Sequence, residues 1–287
     1  MSTLASLRLR KARRFASLAL RNRATQQPAV DPDGGPPVSL TSHGERIATV
    51  HLALESIAAG TLRPRRLILW LDDLDAVADP HPGLRRLIRR GVEVRATENF
   101  RPHTKYYPYV QSIDMHRMPL VTADDDLVYP RTWLERLCAA HATDPTTNTA
   151  HRSREVTFTE GTIRPYEAWP EVARGPSSPR NLATGTWGHV IVPRMLDALR
   201  GGADDFRSAA PAADDLWLHR VAVEQGVAAK VSGSFGHPDF LHLPDGGSAL
   251  SSDNVGGSGN DRQIASAWDG ALLRTMLDSP VPANAYL

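Results

Sequence analysis

The chain has 287 residues and a mass of 31.4 kDa, enough to bury a full core as one large α/β domain or two tightly joined ones. Its 33 basic and 32 acidic residues nearly cancel, which argues against general nucleic-acid binding. The lone cysteine, Cys138, excludes a disulfide framework and a thiolate metal site and fits a reducing, cytoplasmic setting, while no apolar run approaches the ~18 residues of a membrane span.

Residues 1–36 divide into a basic segment and a linker. Arg8, Arg10, Lys11, Arg13, Arg14, Arg21 and Arg23 lie among Leu4, Leu7, Leu9, Phe15, Leu18 and Leu20, with no acid between Ser2 and Arg23. The pattern predicts a cationic amphipathic helix suited to an anionic membrane surface, here the inner face of a membrane. An organellar transit peptide or a disordered basic tail shares the composition, whereas charge interrupts any core that a secretory signal would need. Ala24 to Pro37, rich in proline and holding Gly34-Gly35, reads as a linker.

Residues 37–130 alternate strand and helix. Pro37 to Ser42 predicts a strand ending in hydroxyls, and Ile47, Val50, Leu54 and Ile57 predict a helix that stops near Gly60 and Pro64. Arg66 to Leu71 is an apolar strand running into Asp72-Asp73; a helix from Pro82 to Arg90 and a strand from Val92 to Ala96 follow. Such alternation predicts a mostly parallel sheet wound by right-handed crossovers, with ligands at the strand carboxyl ends. His103 to Tyr109 is rich in tyrosine around Lys105, one of three lysines against 30 arginines, so Lys105 is assigned a function and most of the tyrosines a packing role.

The strand Leu120 to Ala123 delivers Asp124, Asp125 and Asp126 at its carboxyl end. Consecutive acids repel one another, and a divalent cation removes the conflict. Side chains alternate along an extended segment, so Asp124 and Asp126 are expected to face one pocket and Asp125 to point elsewhere. Oxygen ligands of this kind suit Mg²⁺ or Mn²⁺ shared with substrate phosphates. A solvated acidic loop at a strand end would look the same.

Residues 131–232 open on a helix from Trp133 to His141 that includes Cys138, then an irregular region from Asp144 to Arg180. Leu182 to Gly188, with Gly185, leads into a strand from His189 to Pro193. Asp214 and Asp215 begin a helix running to Gly226, where one aspartate is expected to cap and the other to face the pocket. Residues 233–287 hold a glycine- and serine-rich stretch with His237, His242, Asp253, Asn254 and Asp261, then one helix from Ile264 to Leu277.

Val38-Ser-Leu-Thr-Ser42 with Arg46, Leu69-Trp-Leu-Asp-Asp73, Lys105, Thr122-Ala-Asp-Asp-Asp-Leu-Val-Tyr-Pro130 and Ala212-Ala-Asp-Asp-Leu-Trp-Leu218 occur in the order seen in GT-A-fold, nucleotide-sugar-dependent glycosyltransferases. Over Pro37 to Val231 the chain most resembles the bacterial family-2-like, inverting members that build surface or capsular polysaccharides. The resemblance implies a single GT-A (Rossmann-like) α/β domain, with residues 37–130 as the nucleotide-sugar half and 131–232 as the acceptor and catalytic half. It implies donor contacts by Thr41, Ser42, Arg46, Asp72 or Asp73, Lys105, Asp124, Asp125 and the Gly185 turn. It further implies Mn²⁺ or Mg²⁺ on Asp126 and Asp124 with His242 as a third ligand, and Asp215 as general base with Asp214 as the alternative. The implied partners are a nucleotide-sugar donor, UDP-linked, and a glycan or other hydroxyl acceptor. Another metal-dependent phosphate or sugar-phosphate enzyme, or a non-catalytic nucleotide-sugar-binding scaffold, would use the same acids; a nucleophilic aspartate of the former kind normally follows the first strand, where this chain has serine and threonine.

Overall fold

Leu67, Leu69 and Leu71 are buried in one apolar cluster, and Ile68 and Trp70 in another. A strand that is apolar on both sides must be covered on both, which requires a sheet sandwiched between helices. The computed structural model, described over residues 3–202, 204–244 and 259–287, has this mixed α/β architecture. Strands β1 (Val38–Thr41), β2 (Leu67–Leu71), β3 (Glu93–Ala96) and β4 (Leu120–Thr122) alternate with helical segments, and a short β5 (Leu127–Val128) follows the aspartates. The stretch from 144 to 180, irregular by sequence, carries β6 (Asn148–Ala150), β7 (Ser153–Glu155), β8 (Phe158–Thr159), β9 (Thr162–Ile163) and β10 (Glu171–Arg174). Further on come β11 (Asn181–Ala183), β12 (His189–Ile191), β13 (Ala229–Val231), β14 (Leu241–His242) and β15 (Ala285–Tyr286).

The central seven-stranded sheet has the order β13-β6-β12-β4-β1-β2-β3. It is parallel except at β12, which runs against both neighbours. Helices Val50–Ala58, Pro82–Ile88 and Trp133–Ala142 contribute to the cluster that holds Leu67, Leu69 and Leu71. Helices Pro193–Gly201 and Asp214–Glu224 contribute to the other. A smaller antiparallel sheet, β11-β7-β10-β15, is built from strands of two to four residues. Strands so short cannot display an alternating pattern.

The single C-terminal helix expected from Ile264 to Leu277 is two, Gly259–Ala267 and Gly270–Asp278. The break lies at Trp268-Asp269, where the Asp269 carboxylate accepts the N–H groups of Ala271 and Leu272, each at 2.9 Å, and caps the second helix. Asp253 and Asn254 of the glycine-rich stretch lie outside the described residues. Cys138 sits half-buried against the apolar cluster, where burial pushes its thiol up to about 11.

The basic N-terminal segment forms a helix, Thr3–Ala24, docked on the domain. Its Leu18 and Asn22 are buried against the domain. Glu55, buried in the Val50–Ala58 helix, accepts from Arg90 (2.6 Å) and Asn22 (3.1 Å) and forms an ion pair with Arg21 (3.0 Å). A buried carboxylate is tolerated only with such a full set of partners, so the helix is anchored by the same charge that would be costly without it. The stretch read as a linker is packed as well: Ala29 is buried, and its N–H donates to the Arg90 carbonyl at 2.8 Å.

After β1 the chain builds β2 and β3 to one side, whereas β4 pairs on the other side of β1. Loops leaving β1 and β4 therefore diverge, opening a crevice at the carboxyl ends of these strands, where open α/β sheets hold ligands.

Candidate active site

A cavity of about 280 Å³ occupies that crevice. Thr41 at the end of β1, Asp72 after β2, and Asp124 and Asp125 after β4 line it together with Arg46, Asn99, Arg101 and Lys105. The acids that the sequence placed at strand ends thus converge. Asp72 accepts from Asn99 Nδ2 at 2.6 Å. Asn99 Oδ1 in turn accepts the Arg101 N–H at 2.7 Å, with Arg101 held at φ +55°, a left-handed conformation uncommon outside glycine. Arg101 lines the cavity and has no acidic partner among the described residues. Asn99 and Arg101 carried no sequence signal, because Asn99 lies in the connection after β3 and Arg101 opens a single 3-10 turn, Arg101–Lys105, too short to show a periodicity.

Several candidate donor residues have other work. Asp73 is exposed and caps helix Leu74–Ala78 by accepting from Ala76 N–H at 2.9 Å, so of the pair only Asp72 reaches the cavity. Thr41 lines the cavity, but its hydroxyl donates to the Trp70 carbonyl at 3.0 Å. Ser42 is buried and donates to Asp125 Oδ2 at 2.6 Å. Arg46 lies 3.2 Å from Asp125 and 3.6 Å from Asp126, neutralising the acids that follow β4.

The expected alternation of Asp124 and Asp126 about Asp125 does not occur. β4 ends at Thr122, and Asp125 and Asp126 form a turn, so a two-residue period no longer applies. Asp124 turns toward Lys105, Asp125 toward Ser42 and Arg46, and the cavity is lined by Asp124 and Asp125 rather than by Asp126. The turn is fixed by Tyr129, whose buried hydroxyl accepts the Asp124 N–H at 2.6 Å and donates to the Asp124 carbonyl at 3.2 Å.

Lys105 joins the two halves of the molecule. Its ammonium lies 3.2 Å from Asp124 and 3.1 Å from Asp214 at the start of the Asp214–Glu224 helix, and the residue is 8% exposed. Burial pulls its pKa down, but the two carboxylates outweigh burial and raise it above the ordinary lysine value. Asp124 is pushed above the usual carboxylate range, chiefly by burial, with Lys105 opposing. Gly185 lies against this pair: a Cβ there would stand 3.1 Å from Lys105 Nζ and 3.4 Å from Asp214 Oδ2. Neither aspartate of the second pair is the N-cap, which is Ala213. Asp215 is half-buried, and burial first and Asp214 second raise its carboxyl to about 7. Asp214 is committed to Lys105; Asp215 is the group poised to exchange a proton near neutrality.

The Gly185 turn continues through Trp187 at φ +75° and Gly188 at φ +110°. A Cβ on Gly188 would lie 2.7 Å from Trp133 Cζ2, and the Trp133 indole donates to the Trp187 carbonyl at 2.5 Å. Gly188→Ala is expected to lower stability by roughly 1–3 kcal/mol through strain and this collision, read from the urea midpoint.

His242 is exposed on β14, opposite Leu127 of β5, and the next residue's N–H donates to the Asp126 carbonyl at 2.7 Å. Among the described residues no three His, Cys, Asp or Glu side chains gather into a cluster that could hold a metal ion, so a cage of Asp124, Asp126 and His242 is not preformed. What is present fits Mg²⁺ or Mn²⁺ held by one or two carboxylates and completed by substrate phosphates and water.

No family model matches the chain, and no curated protein matches it. Among solved structures it is similar to the mannosyltransferase PcManGT from Pyrobaculum calidifontis, solved in complex with GDP-Man and Mn²⁺, at 15% identity over 95% of this chain and 84% of that one, with a TM-score of 0.46. At that identity the likeness assigns no residue of this chain a role.

Proposed function

We propose that the chain is a metal-dependent glycosyltransferase that moves a sugar from a nucleoside diphosphate donor to a hydroxyl acceptor with inversion. The observation carrying this reading is the Lys105 bridge, which joins Asp124, a lining residue of the cavity at the sheet's switch point, to Asp214 of the second aspartate pair. Arg101 and Lys105 offer cations to a diphosphate, and Asp72 offers an acceptor to ribose hydroxyls or base N–H groups. Asp124, which lines the cavity, would hold Mn²⁺ or Mg²⁺, with Asp126 joining it by turning its carboxylate from Arg46 into the cavity; the ion when bound supplies neutralisation of charge on the departing diphosphate. Asp215 takes the proton from the attacking hydroxyl as its oxygen bonds to the anomeric carbon and the bond to the diphosphate oxygen breaks. A single displacement of this kind inverts the anomeric centre. The reading extends to surface polysaccharide or glycoconjugate synthesis with a UDP-linked donor.

The test is calorimetric titration of UDP, with GDP and a deoxythymidine diphosphate as comparators, with and without Mn²⁺. One nucleotide is expected to bind only with metal, and Asp126→Asn to abolish that binding. Arg101→Gln is expected to weaken it about tenfold or more, the loss of a hydrogen bond between charged groups. If no nucleotide binds with metal present, the reading fails.

A further inference from the structure

The N-terminal helix does more than cover the domain. Leu9, Arg13, Ala16, Leu20 and Arg23 follow one another at spacings of four, three, four and three, which puts them on one face. That face is turned away from the buried Leu18 and Asn22 and is exposed, Leu9 at 44% and Leu20 at 67%. A soluble surface has little reason to present leucines flanked by arginines along a helix about 33 Å long. The helix contains no acid.

Along one edge of the same helix, Arg10, Arg14 and Arg21 face Arg131 of the domain across two clefts of about 270 and 350 Å³, and Arg131 lines both. Asp239 alone is acidic among the lining residues of either. Arg14 is half-buried without an acidic partner among the described residues, and burial together with the like charges of Arg131 and Arg21 pulls its guanidinium below the ordinary value. Cations crowded in this way are relieved by an anion, and planar guanidinium groups match a phosphoryl group best.

We propose that the Leu9, Arg13, Ala16, Leu20 and Arg23 face lies on an anionic phospholipid surface, with lipid phosphoryl groups received along the helix edge by Arg10, Arg14 and Arg131. The leucines enter the boundary between headgroups and acyl chains, and the arginine stems extend their charges to the phosphates. The Glu55 anchor fixes the helix to the domain, so the whole molecule is oriented by the contact. The contact needs only this helix and Arg131 beside it and is independent of the transferase reading.

The test is co-sedimentation of the full chain with vesicles of phosphatidylcholine alone and of phosphatidylcholine with an equal part of phosphatidylglycerol. Binding is expected only to the anionic vesicles and is expected to weaken as salt rises. It is expected to fall about fivefold for each of Arg13→Gln, Arg14→Gln and Arg131→Gln, and further in Leu9→Ser/Leu20→Ser. Unchanged thermal unfolding and nucleotide titration in these variants would keep a folding or active-site defect apart from the result. Failure to sediment with anionic vesicles, or sedimentation unmoved by the substitutions, overturns the proposal. So does inorganic phosphate binding that needs Arg14 in a protein that ignores vesicles, which would give the clefts to a soluble phosphoryl ligand.

Discussion

Asp215→Asn is expected to lower kcat for sugar transfer by roughly 10²–10⁴-fold, the span of a positioned general base, with nucleoside diphosphate affinity unchanged. The asymmetry follows from the site. Asp214 is held by Lys105 at 3.1 Å, while Asp215 lies at the half-buried start of the same helix with its carboxyl raised to about 7. The working form is deprotonated, so kcat/KM of the unsubstituted enzyme should climb tenfold per pH unit below about 7 and level off above it. Asp215→Glu should restore part of the rate and keep the rising limb; Asp214→Asn should disturb stability and donor binding along with rate. A variant Asp215→Asn with normal turnover would remove the catalytic assignment, and a pH profile flat from 5 to 8 would remove the proton transfer.

The second large effect is on stability. Lys105→Met is expected to cost roughly 3–5 kcal/mol, measured by urea unfolding at neutral pH, because it strands two little-exposed carboxylates without their shared cation. The sign is fixed by linkage: the folded-state pKa is raised, so the contribution is fully present below the ordinary lysine value and fades only as pH rises through the folded one. Adding Asp124→Asn and Asp214→Asn to Lys105→Met should recover much of the loss, since no unpaired charge then remains. If the single variant is as stable as the parent, the bridge is not an energetic link between the two halves. The bridge also bears on binding. A cavity already balanced in charge gains little from a metal ion alone or a diphosphate alone, so each is expected to raise the affinity of the other by the same factor.

The sequence disclosed the frame of the donor side because β1, β2 and β4 are short apolar runs that end in polar residues, and apolar runs bounded in this way leave few alternatives. It also singled out Lys105 by rarity. It did not disclose which acid points where, because Asp124 to Asp126 leave the strand before the alternation can act. Nor did it separate Asp72 from Asp73, whose difference rests on Asn99, a residue 27 positions away. The small antiparallel sheet was hidden by strand length, and the split of the C-terminal helix by a single capping aspartate. The partnership of Arg14 with Arg131 depends on docking between segments more than a hundred residues apart, which periodicity cannot report.

One reversed strand divides the labour of the crevice. Because β12 runs against β4 and β6, His189 at its beginning is level with Thr122 at the end of β4. The loop leading into β12, with Gly185 and Trp187, therefore reaches the same rim as the loops that lead out of β1, β2 and β4. Outgoing loops supply the contacts proposed for the nucleotide; the incoming loop and the helix that begins at Asp214 meet them at Lys105, against which Gly185 packs. Residues 185–188 are thereby held from two sides, Gly185 against the Lys105–Asp214 pair and Gly188 against Trp133, so this loop ties the rim of the crevice to the core beneath it and leaves little room for exchange.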